Sequence, residues 1–247
     1  MNFQAVRTAF SGHNWGLILH ILRRQKTLQQ ALPLTALCRP TQHSYSTSAP
    51  EPPISRYPIP ERGSLPQDVQ EIMNEVEEKG GFLPNVFSCL SHRPEEFRAF
   101  FNYYDVLMNK ETGSIWSLSK AEKEMIIVAT SAANHCQYCV VAHGALHRIY
   151  SKRPLVADQL ACNWQGADLS PRERAIVEFA MKVGRSEHLE EEDFVPLEEQ
   201  GLSREDAWDI GAIAAFFAMS NRMAHLVGMR PNDQFYTMGR IPREKGT

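Results

Sequence analysis

The sequence predicts an all-α protein, and three observations carry that prediction. A helix-start signature recurs: "LSKAE" from Leu118, "LSPRE" from Leu169 and "LSRED" from Leu202. Each places a capping serine (Ser119, Ser170, Ser203) three residues before an acid (Glu122, Glu173, Asp206), the spacing of a capping box. Behind each start, apolar residues return at helical spacing: Met125, Val128, Ala129 and Ala132; Ile176, Phe179, Ala180 and Val183; Ile210, Ile213, Ala214 and Phe217. From Leu65 onward no stretch alternates with the period of two that a half-buried strand requires.

The remaining elements follow in order. Residues 66–79 read as a helix that stops at Gly80–Gly81. Residues 94–109 carry Phe97, Phe100, Phe101, Tyr104 and Leu107 on one broad face, as core or pocket wall. Helices are also expected over 137–150, 154–163 and 190–200, with Pro84, Gly113, Gly166 and Gly201 in the joints. The run "IGAIAAFFAMSNRMAHLVGM" is apolar nearly all round, which predicts a central helix or a subunit interface. Asn221 and Arg222 interrupt it and are open to a pocket, capping or subunit role.

Charge divides the chain. Residues 1–50 hold no Asp or Glu but five basic residues, Arg7, Arg23, Arg24, Lys26 and Arg39. The other 21 basic residues face 29 acids, so the rest of the chain carries −8. An acidic body argues against a nucleic-acid partner. No uninterrupted apolar run approaches the ~18 residues of a membrane span. The basic, Ser- and Thr-rich leader, with "WGLILHIL" followed by "RRQK", has the composition of a mitochondrial transit peptide. The expectation is therefore a transit peptide and linker over 1–50, cleaved between about Arg39 and Pro50, a matrix location, and a single helical domain over 51–247.

The chemistry concentrates in "NHCQYCVVAHGALH". Of five cysteines, Cys38, Cys89, Cys136, Cys139 and Cys162, only Cys136 and Cys139 are close in sequence. Cys89 and Cys162 read as ordinary buried thiols. On a helix from about His135, Cys136, Cys139, His143 and His147 share one face about 80° wide. A metal site is one reading, but Cys136 and His147 lie about 16 Å apart along such a helix, too far for four ligands on one ion. Two core cysteines beside a satisfied histidine are another. A redox pair fits better. A C-x-x-C at a helix start sits among unpaired N–H groups that lower a thiol pKa, and His143, one turn beyond Cys139, can take a thiol proton. The dipole favours Cys136 as the more acidic thiol; the histidine favours Cys139. Neither a cofactor nor a metal is expected.

The segment "EMIIVATSAANHCQYCVVAH" resembles the alkylhydroperoxidase-D-like branch of the carboxymuconolactone decarboxylase family. The family's redox signature is matched by Glu124, Cys136, Cys139 and His143 in type and spacing. "LPNVFSCLSHRPEEFRAFF", "VVAHGALHRIYSKRPLVADQLACNW" and "WDIGAIAAFFAMSNRMAHLVGMRPNDQFYTMGR" are similar to its uncharacterised peroxidase-related enzymes, over about Ile54 to Arg240. The resemblance implies an all-helical bundle, a homo-oligomer, and thiol-dependent reduction of hydroperoxides by an external dithiol that the sequence does not name. It implies Cys139 as attacking thiol, Cys136 as resolving thiol, His143 as proton acceptor and Glu124 as the far end of the relay. His147 has no place in the signature and is expected behind these residues. Two alternatives remain: a non-enzymatic redox sensor or scaffold, and a lactone decarboxylase, whose chemistry does not call for a C-x-x-C.

Overall fold

The computed structural model describes residues 52–109 and 118–240. The expected leader and most of the linker, together with Cys38 and Gly113, lie outside these residues. The described chain is all-α: α1 Gln67–Gly80, α2 Asn85–Leu90, α3 Pro94–Asn109, α4 Lys120–Ala133, α5 Gln137–Ser151, α6 Val156–Asn163, α7 Pro171–Gly184, α8 Val195–Glu199, α9 Arg204–Val227 and α10 Asp233–Thr237.

The three expected capping boxes all form. Ser119, Ser170 and Ser203 accept the amide N–H of Glu122, Glu173 and Asp206, and each acid reaches back to its serine's own N–H. Two orphan donors are thereby satisfied at the start of α4, α7 and α9. α1 stops where Gly81 turns left-handed at φ 83°, and its N–H returns to Glu77 O. The expected helix over 190–200 is broken instead. A 3-10 turn at Glu191–Asp193 precedes the short α8, in which Pro196 occupies the first turn and withholds an amide donor. The short α2 and α10 were not foreseen, being too brief to display a helical period.

α4 is the centre of the bundle. Every residue from Lys123 to Ser131 is buried, and Met125, Ile126, Ile127 and Val128 are wholly inaccessible. Burying such side chains stabilises the fold by about 1.5–3 kcal/mol each. α5 packs antiparallel beside it, with α6, α7 and α9 around the pair. The aromatic stripe of α3 is mostly core: Phe97 and Phe101 pack tightly, and Phe87 of α2 stacks on Phe101 with centroids 4.2 Å apart. Phe100 joins α3 to α9 through Phe216 at 4.9 Å.

α9 is the only helix among the described residues long and apolar enough to cross a membrane, and half of its apolar window is buried inside the fold. That burial makes it a core helix of the bundle. Its outer face and α3 border an open apolar groove of about 690 Å³ lined by Tyr103, Phe216, Met219 and Leu226 among others.

The ends are strapped on by backbone contacts. Arg56 N–H donates to Val227 O at 2.7 Å. Buried Arg148 of α5 donates to Met238 O at 2.9 Å and Phe235 O at 2.8 Å, holding α10 against the bundle. Gly239, at φ 73°, passes so close that a Cβ there would stand 2.8 Å from Arg148 Cβ.

The α4–α5 joint is the tightest connection. The N–H of His135 returns to Ala132 O and that of Cys136 to Ser131 O, both at 2.9 Å, while His135 sits left-handed at φ 55°. This is a Schellman closure with histidine where glycine is usual. A side chain in that conformation costs about 1–2 kcal/mol. His135→Gly should therefore raise stability by about 1 kcal/mol, seen as a higher urea midpoint with an unchanged slope.

Candidate redox site

The joint decides where the sulfurs go. Cys136 closes α4 and is at once the N-cap of α5, so it stands before the helix rather than inside it. Cys139 follows in the first turn of α5. Both are buried free thiols. His135 is exposed.

One turn beyond Cys139, His143 meets Glu124 of α4. Its Nδ1 lies 2.7 Å from Glu124 Oε2. Nδ1–H donates to the carboxylate, which leaves the Nε2 lone pair free to accept a proton. Glu124 is 2% exposed, so its charge needs this partner. The ring of His143 is held from the side by Phe217, edge to face at 4.7 Å, with Tyr104 at 6.4 Å. Burial pushes the Tyr104 phenol well above its usual range, and the nearby Glu124 carboxylate adds to the shift, so this tyrosine stays neutral. The sequence-predicted pair is thus brought together. No hydrogen bond joins His143 to either sulfur among the described residues.

A second wall comes from α9 and was left open by sequence reasoning. Ser220 Oγ lies 4.0 Å from Cys139 Sγ. Asn221 is wholly buried; its Nδ2 donates to Ser131 Oγ and its Oδ1 accepts from Asn134 Nδ2, both at 2.9 Å. His225 Nε2 lies 2.9 Å from Asn134 O. A polar Ser–Asn pair inside an apolar run was the only signal, and its partners are about ninety residues away in sequence.

The two sulfurs are unequal. Cys136 is drawn down to about 6, first by the hydrogen bond from the Cys139 thiol and then, against burial, by the Cys139 amide, the His225 imidazole and Asn221. Cys139 is pushed well above its usual range by donating to Cys136, by burial and by the charge on Cys136, with Asn221 and Ser220 opposing. The resemblance assigns the attack to Cys139, whereas the lowered thiol is Cys136.

The other singled-out residues fall elsewhere. His147 is 1% exposed, its Nδ1 has no partner, and the charges acting on it are Arg153, Glu173 and Arg148 rather than Glu124 or the sulfurs. Cys89 is buried as expected, donates toward Ile54 O at 3.4 Å, and is pushed up to about 12 by burial. Cys162 is exposed, contrary to the expectation, because it falls on the outer face of α6. Arg222 is exposed. Among the described residues no three His, Cys, Asp or Glu side chains are grouped to hold a metal ion.

A helical bundle with a paired-cysteine turn beside a Glu–His pair defines a class, and the comparisons agree with it. The carboxymuconolactone decarboxylase family model matches residues 94–180. The structure is similar to the alkylhydroperoxidase AhpD core of an uncharacterized peroxidase-related protein from Ralstonia eutropha JMP134, with TM-score 0.74 and 59% identity over 77% of this chain and 99% of that one. A peroxidase-related protein from Silicibacter sp. TM1040 is similar at TM-score 0.70 and 36% identity, over 79% of this chain and 100% of that one. The debrominase Bmp8 shares the fold at TM-score 0.57 and 21% identity, over 75% of this chain and 95% of its own. No curated protein matches. The chain belongs to the carboxymuconolactone decarboxylase family, among its AhpD-like, peroxidase-related members.

These relatives correct one expectation. The mitochondrial matrix location is overturned, because the similar proteins come from bacteria, which have no such compartment. Composition misled here for a physical reason: an acid-poor, basic, Ser- and Thr-rich leader records charge and polarity, and many segments share those without carrying an address.

His147 generates a pH prediction. Burial, the larger cause, and Arg153 together lower it from the ordinary 6.5 to about 4. The unfolded chain therefore binds a proton between those values that the folded chain refuses. The stability contribution is fully present above about pH 6.5 and is lost as pH falls towards 4, by up to about 3 kcal/mol. Urea unfolding from pH 7 to 4 should show this loss, and His147→Leu should flatten it.

Proposed function

We propose that the protein is a thiol-dependent peroxidase in which the Cys136–Cys139 pair reduces a hydroperoxide and is reset by an external dithiol. The observation that carries this reading is the buried Cys136–Cys139 pair at the start of α5, one turn from the His143–Glu124 pair. The peroxidase-related names of the two more similar relatives support it.

The chemistry balances within the pair. A thiolate sulfur attacks the O–O bond; an S–O bond forms, O–O breaks, and the alkoxide leaves with a proton as alcohol or water. The second sulfur, deprotonated, displaces hydroxide from the sulfenic acid, and an S–S bond forms as water leaves. Sulfur loses two electrons and the peroxide gains two. A dithiol of unnamed identity returns them by exchange through a mixed disulfide. His143 takes a thiol proton on Nε2 while Glu124 stabilises the resulting imidazolium. Within this proposal residues 51–247 act as one domain, and copies associate into a homo-oligomer, for which the exposed apolar residues Tyr103, Met219 and Leu226 offer surface.

Free thiols titrated before and after one equivalent of hydroperoxide test the reading. Of five thiols per chain, two should disappear rapidly. Glu124→Gln should slow that loss by about tenfold and His143→Gln by about a hundredfold, at unchanged stoichiometry. A thiol count that stays constant on the minute scale sinks the proposal. Loss of thiols that no dithiol can reverse leaves a single-use sensor instead.

A further inference from the structure

α9 has an inner face buried in the bundle and an outer face whose composition is wrong for water. Trp208 is 74% exposed and Leu226 52% exposed. Between them Ala215, Met219 and Arg222 are exposed and Ala212 is half-buried. These six residues follow one another at steps of four, three, four, three and four. That is the period of about 3.5 residues with which one helix packs along another. α1 shows the contrast. Its exposed residues, Gln67, Glu71, Asn74 and Glu78, keep the same spacing and are polar throughout, as a solvated face should be. The stripe on α9 holds one charge, Arg222, and runs almost the whole length of the helix.

The stripe adjoins a recess. Met219 and Leu226 also line the open apolar groove between α9 and α3. Tyr103 of α3, itself exposed, packs edge to face on Phe216 in that groove, with centroids 5.4 Å apart. One copy therefore carries a projecting indole toward one end of α9 and an apolar recess toward the other. The stripe is also symmetric about position 217. Laid antiparallel on itself, it sets Trp208 against the partner's Leu226, Ala212 against the partner's Arg222, and Ala215 against the partner's Met219. Each alanine then makes room for a long side chain, and the indole meets the groove. A parallel pairing would instead set Arg222 on Arg222 and Trp208 on Trp208, bringing like charges together and leaving the groove empty. The face is large enough. α9 over about 36 Å and α3 over about 24 Å, each about 10 Å wide, present roughly 600 Å² per copy, or about the 1,200 Å² in total at which specific interfaces begin.

We infer that the outer face of α9 docks a second copy of this chain, antiparallel about a twofold axis at position 217, with Trp208 of each copy seated in the groove of the other. Such a contact is isologous and closes on itself as a dimer. It gives the association proposed above a face and a register, and rests on that association rather than on the thiol chemistry.

Sedimentation of the full-length protein at micromolar concentrations, without peroxide, is the first measurement. It should show a dimer or a multiple of one. Trp208→Glu and Ala215→Glu should each lower the associated mass, by weakening association at least about a hundredfold. Both side chains are exposed, so circular dichroism and the urea midpoint should stay close to those of the parent; if one variant does not fold, the other carries the test. Register is read by mixing two variants, Ala212→Cys and Arg222→Cys, in a Cys162→Ser background that removes an exposed thiol. Under mild oxidation, peptide mass mapping should find a disulfide between positions 212 and 222 of different chains in the mixture. A protein that stays monomeric overturns the inference. So does an oligomer unmoved by both glutamates, which places the contact on another face, and so does a disulfide joining two copies of position 212 or of position 222, which means a parallel pairing. The redox reading fails separately, in the thiol count after hydroperoxide, so the loss of either leaves the other standing.

Discussion

The closure between α4 and α5 is the constraint on which the site depends. Two backbone hydrogen bonds and one left-handed residue reverse the chain within Asn134–Cys136, so two helices run antiparallel in contact along their length. Because the reversal is that short, Cys136 has no freedom of placement: its N–H closes one helix and its sulfur heads the next. The same geometry sets Glu124 of α4 level with His143 of α5, nineteen residues apart in sequence and 2.7 Å apart in space. A longer or looser joint would change the register of the pair and separate the carboxylate from the imidazole.

Around that hairpin the chain spends its polar groups unevenly. Nine consecutive residues of α4 are buried, yet Glu124, Thr130 and Ser131 lie among them. Thr130 returns its hydroxyl to Ile126 O at 2.8 Å and is satisfied locally. Glu124 and Ser131 instead reach across to α5 and α9. Buried polar groups need partners, and the partners available at this depth belong to other helices. The polar interior of α4 therefore ties three helices together at one place, which is also where the sulfurs lie. His147, by contrast, is buried without a partner for Nδ1, and its cost appears as acid sensitivity rather than as a contribution to the site.

Much of the fold was legible because its signals are local. Each capping serine and its acid are three residues apart, and an apolar stripe needs only a turn or two to declare itself; α3, α4, α7 and α9 were readable on those grounds. Where one residue overrides its neighbours, the reading failed. Pro196 breaks the expected helix over 190–200 into two short turns, and Cys162 faces outward although its type favours burial. Of the site, Glu124, Cys136, Cys139 and His143 were legible as a spacing on two adjacent helices. Asn221 was visible only as a polar interruption, and nothing near it in sequence says that Ser131 and Asn134 would clamp it.

The amino-acid sequence by itself determined the helical class, the positions of the helix starts, and which four side chains of the α4–α5 segment could form a redox site. The first two follow from hydrogen bonds and periodicities that close within a few residues; the set of four, Glu124 above all, follows from the resemblance to a known redox signature. Only the tertiary structure decided that α9 supplies the second wall and that His147 stands apart. Those outcomes depend on how α9 packs against α4 and α5, because a hydrogen bond forms only at contact distance, and contact between residues some ninety positions apart is a property of packing.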